Sequence, residues 1–109
     1  MVNAEDRITQ YQALIDTHPE IELKGKNMLY TSINGHMFSI MNKGQGLGLR
    51  LSKEEREKFL DDFNTQPHES HGAVMREYVR VPDELLADTQ ALAPYLVKSY
   101  EYVKTLEPK

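Results

Sequence analysis

The sequence predicts an α+β domain whose helices cover one side of an antiparallel sheet, and three observations carry that reading. Asn34-Gly35 sits between two alternating stretches, NMLYTSI and HMFSIM, which is the sequence form of a tight hairpin. The run LGLRL passes directly into SKEEREKFL, a half-buried strand followed by a capped helix. An alternating stretch from Ala73 to Val81 stops at Pro82 and gives way to a helical pattern reaching Leu106. The predicted order is α-β-β-β-α-β-(β)-α, in which helices segregate to one side instead of alternating with parallel strands.

Each element follows from local chemistry. Ile8, Tyr11 and Ile15 recur at helical spacing beside Glu5, Asp6, Arg7 and Asp16, predicting a helix over residues 4–17 that His18-Pro19 ends. The change to a period of two begins at Lys26. A two-residue type I′ loop would pair Ile33 with His36, Thr31 with Phe38 and Leu29 with Ile40 on one face. Ser32 with Met37, Tyr30 with Ser39 and Met28 with Met41 would fill the other, and the more apolar Leu29, Phe38, Ile40 face is assigned to the core. Beyond the NKGQG loop, Leu47, Leu49 and Leu51 share one face of a third strand. Ser52 to Glu55 reads as a capping box opening a helix to about Phe63, with Arg56, Phe59, Leu60 and Phe63 on one side. NTQPHESHG reads as a loop. In the next strand Met75, Val79 and Val81 alternate with Val74, Arg76, Tyr78 and Arg80. Asp88 can cap the last helix, and Pro94 predicts a kink or break near Ala93. Leu92, Leu96, Ser99, Val103 and Leu106 form its inward stripe, with Tyr95 and Tyr102 to the side.

Length and composition bound the function. With 109 residues the chain has room for one core, so residues 1–109 are read as one domain. Its 39% hydrophobic and 28% charged residues are those of an ordinary globular protein, which argues against disorder. A net charge of -4 argues for solubility and against nucleic-acid binding by bulk electrostatics. The lack of cysteine excludes disulfides, thiol catalysis and thiolate metal sites, and suits a reducing cytoplasm. MVNAEDRITQYQAL carries no secretory apolar run, and no stretch of about 18 apolar residues suggests a membrane span. The expectation is a cytoplasmic protein with no membrane partner. No internal repeat or low-complexity linker divides the chain.

The NGHMFSIM turn and strand, the LGLRLSKEEREKFL passage and VMREYVRVPDELLADTQALAPYLVKSYEYVKTL together resemble the TfoX N-terminal domain family over roughly residues 24–106. Gly35, Met37 and Phe38 match its glycine turn and Met-Phe pair. Met75, Arg76, Glu77, Tyr78 and Pro82 match its Met-Arg/Lys-Glu-Tyr strand and following proline, and Pro94 with Tyr95 match its terminal helix. Where the family often has a Met-Phe-Gly-Gly-like lead into its first strand, this chain reads KGKNMLYTSI. The resemblance implies a fold similar to secretion chaperones and kinship with bacterial regulators of natural competence. Those regulators join this domain to a second, C-terminal one, so a stand-alone domain is the closer analogy. The resemblance carries over no catalytic residue.

The residues offer little catalytic chemistry. His68-Glu69-Ser70-His71 supplies two imidazoles and a carboxylate, but zinc needs three or four convergent ligands, and a solvated loop is the favoured reading. Serines, histidines and acids occur without a nucleophile-elbow pattern. Gly44, Gly46 and Gly48 precede a strand and lack the glycine-Lys-Ser/Thr start of a phosphate-binding helix. No catalytic residue, metal or cofactor is therefore assigned.

The candidate interaction surface is Arg50, Arg76, Tyr78 and Arg80, with Tyr30 beside them, on the sheet face opposite the core. It could bind an acidic protein segment, an anion or a single strand of nucleic acid, against the competing reading of a solvated face covered by arginine stems. Met28, Met37 and Met41 are either a second layer of core or an adaptable contact surface, a homodimer included. The reading reached is a non-catalytic regulatory or protein-interaction domain whose partner is an unknown protein or a second copy. The alternative is a small-ligand or anion-binding domain, recognisable by a closed pocket with converging polar groups.

Overall fold

In the computed structural model, which describes residues 4–25, 28–42, 46–70 and 72–108, the chain runs α1 (Ala4–Asp16), β1 (Tyr30–Ile33), β2 (His36–Asn42), β3 (Gly46–Arg50) and α2 (Lys53–Asp62). It continues through β4 (Pro67–Ser70), β5 (Ala73–Arg80), α3 (Asp83–Ala87) and α4 (Thr89–Lys104). The strands form one antiparallel sheet in the order β1-β2-β3-β5-β4, the α+β arrangement that the sequence predicts. The expected strand start at Lys26 and Asn27 and the Lys43, Gly44, Gln45 part of the glycine loop lie outside the described residues.

The hairpin turn is type I′, with Asn34 at φ 56° and Gly35 at φ 82°. Ile33 pairs with His36 and Ser32 with Met37 as expected, but the register then shifts, so that Thr31 faces Ser39 and Tyr30 faces Ile40. Phe38 is the extra residue of this bulge, and a slip of one residue exchanges the faces beyond it. Leu29 and Phe38 do pack into the core as predicted, while Ile40 is buried on the opposite side and Met41 takes the inward place. The methionines are thereby separated: Met41 is core, whereas Met28 and Met37 are half-buried.

Leu47, Leu49, Leu51, Val79 and Val81 form the inner face of the sheet and meet Tyr11, Leu14 and Ile15 of α1, Phe59 of α2, Leu85 and Leu86 of α3, and Leu92, Leu96, Tyr100 and Val103 of α4. On α1 the expected stripe is rotated, because Leu14 is buried and Ile8 is exposed. Ser52 caps α2 by accepting from the Glu55 amide at 3.5 Å, but the Glu55 carboxylate pairs with Lys98 of α4 at 3.1 Å. Only one half of the capping box is therefore present.

Two further expectations are overturned. Pro67–Ser70 is a strand, not a loop: it gains its ladder from β5 after a turn at Gly72, φ 79°, and PHES has no apolar alternation that would announce it. The helical break lies at Asp88, whose carboxylate accepts from the Ala91 amide at 3.2 Å, and α4 runs unbroken through Pro94. Pro94 removes the hydrogen bond to the Gln90 carbonyl, but both residues are exposed, so water can take that carbonyl without bending the helix away from its core.

Candidate functional site

Strand register decides what the helix-free face presents. Arg50 lies opposite Tyr78, and Tyr30, Ile40, Gly48 and Arg80 form one row across four strands. Tyr78 is nevertheless 8% exposed. Its hydroxyl donates to the Met37 carbonyl at 2.6 Å, so the side chain crosses β3 to reach β2. Burial pushes its phenol up to about 12, which keeps it a neutral donor. Arg50 Nε donates to Glu77 Oε1 at 2.9 Å, and the Tyr102 hydroxyl donates to the same oxygen at 3.1 Å. The hydrogen bond from Arg50 is the main reason that the Glu77 carboxyl is held below its ordinary value.

Of the four residues singled out in the sequence, Arg50 is thus committed to an internal ion pair and Tyr78 to the sheet. Arg76 is exposed and Arg80 half-buried, and neither makes an ion pair among the described residues. Arg76 belongs to a stretch of β5, Arg76 to Tyr78, that has no partner in β4: His68 pairs with Met75, and the adjacent Pro67 with Val79.

That register break has a consequence for His68. A flat sheet would place β4 two strand spacings from β3, roughly 10 Å, and beyond the reach of an imidazole. Yet a Cβ built on Gly48 of β3 would stand 2.5 Å from His68 Cδ2, and His68 Nε2 lies 2.7 Å from Asn42 Oδ1 on β2. The β4 end of the hairpin therefore folds across the helix-free face, with the His68 ring, 0% exposed, seated where Gly48 has no side chain. Ile40 and Asn42 are buried with it.

A second feature joins residues that no sequence pattern connects. Past α2 the chain turns at Asn64, φ 49°, and Thr65 and Gln66 are tied to β5 by Thr65 Oγ1 donating to the Arg80 carbonyl at 2.7 Å and Arg80 N to the Gln66 carbonyl at 2.9 Å. Phe63 is set by ring contacts with Phe59 at 4.7 Å and Tyr95 at 5.5 Å. Between these groups and the start of α3 lies an open trough of about 560 Å³ lined by Phe63, Asn64, Thr65, Gln66, Arg80, Val81, Pro82, Asp83 and Glu84. An adjoining hollow of about 390 Å³ shares Phe63, Pro82 and Glu84 and adds Leu85, Asp88 and Ala91. Arg7 holds Asp83 through two hydrogen bonds of 3.0 Å, which fixes α3 to α1 and satisfies that carboxylate. Glu84 and Asp88 make no ion pair among the described residues and leave the rim acidic. In the sequence the only traces of the trough were Phe63 at the end of an apolar helix face and Pro82 as a strand stop.

No group of three or more metal-ligating side chains occurs among the described residues. His68 is buried in the sheet, and its proposed fellow ligand His71 lies outside the described residues. Also among the described residues, no helix is long and apolar enough to cross a membrane. Compared with known protein families, curated proteins and solved structures, the chain matches none.

Proposed function

We propose that this is a non-catalytic regulatory or protein-interaction domain, of the kind the resemblance to the TfoX N-terminal family implies, and that it docks its partner in the trough between α2 and α3. The observation that carries this reading is the lining of the trough and its adjoining hollow: Phe63, Pro82, Leu85 and Ala91 supply apolar contact, while Glu84 and Asp88 have no cationic partner among the described residues. Such a groove complements an extended partner segment that alternates apolar side chains with lysine or arginine. Its open form speaks against a closed small-ligand pocket, and its carboxylates, which outnumber the single cation Arg80, speak against an anion. The same resemblance, with the lack of cysteine, makes the bacterial cytoplasm the proposed setting.

Amide shift mapping with two peptide sets, one basic and apolar and the other acidic and apolar, tests this. The basic set should perturb Phe63, Glu84, Leu85 and Ala91, and Glu84→Lys should weaken that binding several-fold. Perturbation by the acidic set centred on Arg76, which lies outside the trough, would move docking to the arginine face, and no saturable perturbation by either set would overturn the proposal.

A further inference from the structure

We infer that His68 latches the β4–β5 hairpin onto the helix-free face of the sheet, and that a proton taken up by its ring releases the hairpin. This inference is independent of which surface binds a partner.

The hydrogen bonds fix the protonation state of the latch. Asn42 Nδ2 donates to Met28 Sδ at 3.2 Å, which leaves Asn42 Oδ1 as the acceptor toward His68. His68 Nε2 therefore carries the hydrogen and Nδ1 is a bare lone pair, buried with no partner among the described residues. A neutral ring tolerates that arrangement. An imidazolium does not, because its second N–H would be buried without an acceptor. Of the elements packed against the ring, β2 presents Asn42 and β3 presents Gly48, neither titratable, while β5 presents the Arg80 cation, which repels a second positive charge. Glu69, next along β4, points to the opposite side by strand alternation. Burial first, then Arg80, push the His68 ring from 6.5 down to about 4.

The hairpin is also the part of the sheet that can leave by itself. No residue from Pro67 to Arg76 belongs to the hydrophobic core among the described residues, and the β4 ladder is interrupted beside His68. Release would uncover Ile40, Asn42 and Gly48 and leave the helix-covered face intact.

The sign follows from linkage. Above pH 6.5 neither the latched nor the released ring is protonated, and pH has no effect. Between pH 6.5 and 4 only the released ring takes the proton, so release gains about tenfold per pH unit, roughly 300-fold in all. Below pH 4 both forms are protonated and the gain stops.

Native-state hydrogen exchange, corrected for intrinsic rates, reads this directly. Opening at the amides of His68, Glu69, Val74 and Met75 should rise about tenfold per pH unit below 6.5, while the β2–β3 ladder stays unchanged. In His68→Gln the hairpin response should be flat, although the other three histidines of the chain remain. An equal pH response in hairpin and ladder, or the same hairpin response in His68→Gln, would overturn the latch. If that variant fails to fold, proton NMR of the wild-type His68 ring decides: titration near 4 supports the latch and titration near 6.5 sinks it.

Discussion

On the helix-covered side of the sheet, Leu47, Leu49, Leu51 and Val79 are 0% exposed and meet other apolar side chains at every turn. On the reverse side the same strands offer Ile40, Asn42, Gly48, Arg50, Tyr78 and Arg80, and what covers them is polar: an imidazole on Asn42 and a phenol on the Met37 carbonyl, while the Arg50 guanidinium reaches Glu77, which Tyr102 of α4 also holds. The first side is held by filled volume, which tolerates rearrangement provided volume is conserved. The second is held by a few directional contacts, each lost outright when its geometry fails. Regulation is easier to build into the second, because a single proton can remove one of its contacts.

Four substitutions probe this difference, beginning with the largest effect. Leu49→Ala leaves a cavity between sheet and helices and should lower unfolding free energy by about 2–5 kcal/mol in chemical denaturation. A loss below about 1 kcal/mol would mean that the inner face is not the main source of stability. Gly48→Ala, one residue along and on the other face, should cost about 1–3 kcal/mol because the new methyl meets the His68 ring at 2.5 Å. The cost should shrink in a His68→Ala background, where the ring is gone; additive losses would show that Gly48 and His68 do not act on one another.

Tyr11→Phe tests the exception on the apolar side. The Tyr11 hydroxyl, Ser39 Oγ and Thr31 Oγ1 form a buried chain of hydrogen bonds between α1 and the sheet, and burial raises the phenol pKa. Removing the hydroxyl takes one of Ser39's two partners and leaves Thr31, and should cost about 1 kcal/mol with little change of packing. A neutral result would show that Ser39 and Thr31 satisfy one another.

The inner face was legible in the sequence because its signal is periodic. Leu47, Leu49 and Leu51, the Leu92 to Val103 stripe and the Asn34-Gly35 turn each announce themselves by spacing or by a required positive φ. The reverse face was not legible, since its contacts depend on two register breaks. The bulge at Phe38 turns Ile40 and Asn42 outward, and the jump between Pro67 and His68 folds the hairpin over them; neither leaves a mark in composition. Alternation puts Arg50, Tyr78 and Arg80 in register on one face, but the partners of the first two were out of reach: Glu77 of Arg50 sits on the neighbouring strand, and Met37 of Tyr78 two strands away. The trough was equally hidden, because α2, the 64–66 turn, β5 and α3 meet only in three dimensions.

The smallest effect belongs to Arg50→Met, and its pH dependence says more than its size. Arg50 holds Glu77 with a side chain 17% exposed against one 43% exposed, so solvent screens much of the attraction and the loss at neutral pH should stay below about 1 kcal/mol. Because the folded Glu77 pKa is depressed from 4.5, the pair stabilises the fold above pH 4.5 and loses that contribution as pH falls through the lower folded value. Arg50→Met should therefore flatten the acid limb below pH 4.5 only partly, since Tyr102 still donates to Glu77. The response assigned to His68 lies above it, between pH 6.5 and 4, and should persist unchanged in this variant. If Arg50→Met instead abolishes the response above pH 4.5, the reverse face is one coupled polar network and His68 does not act alone.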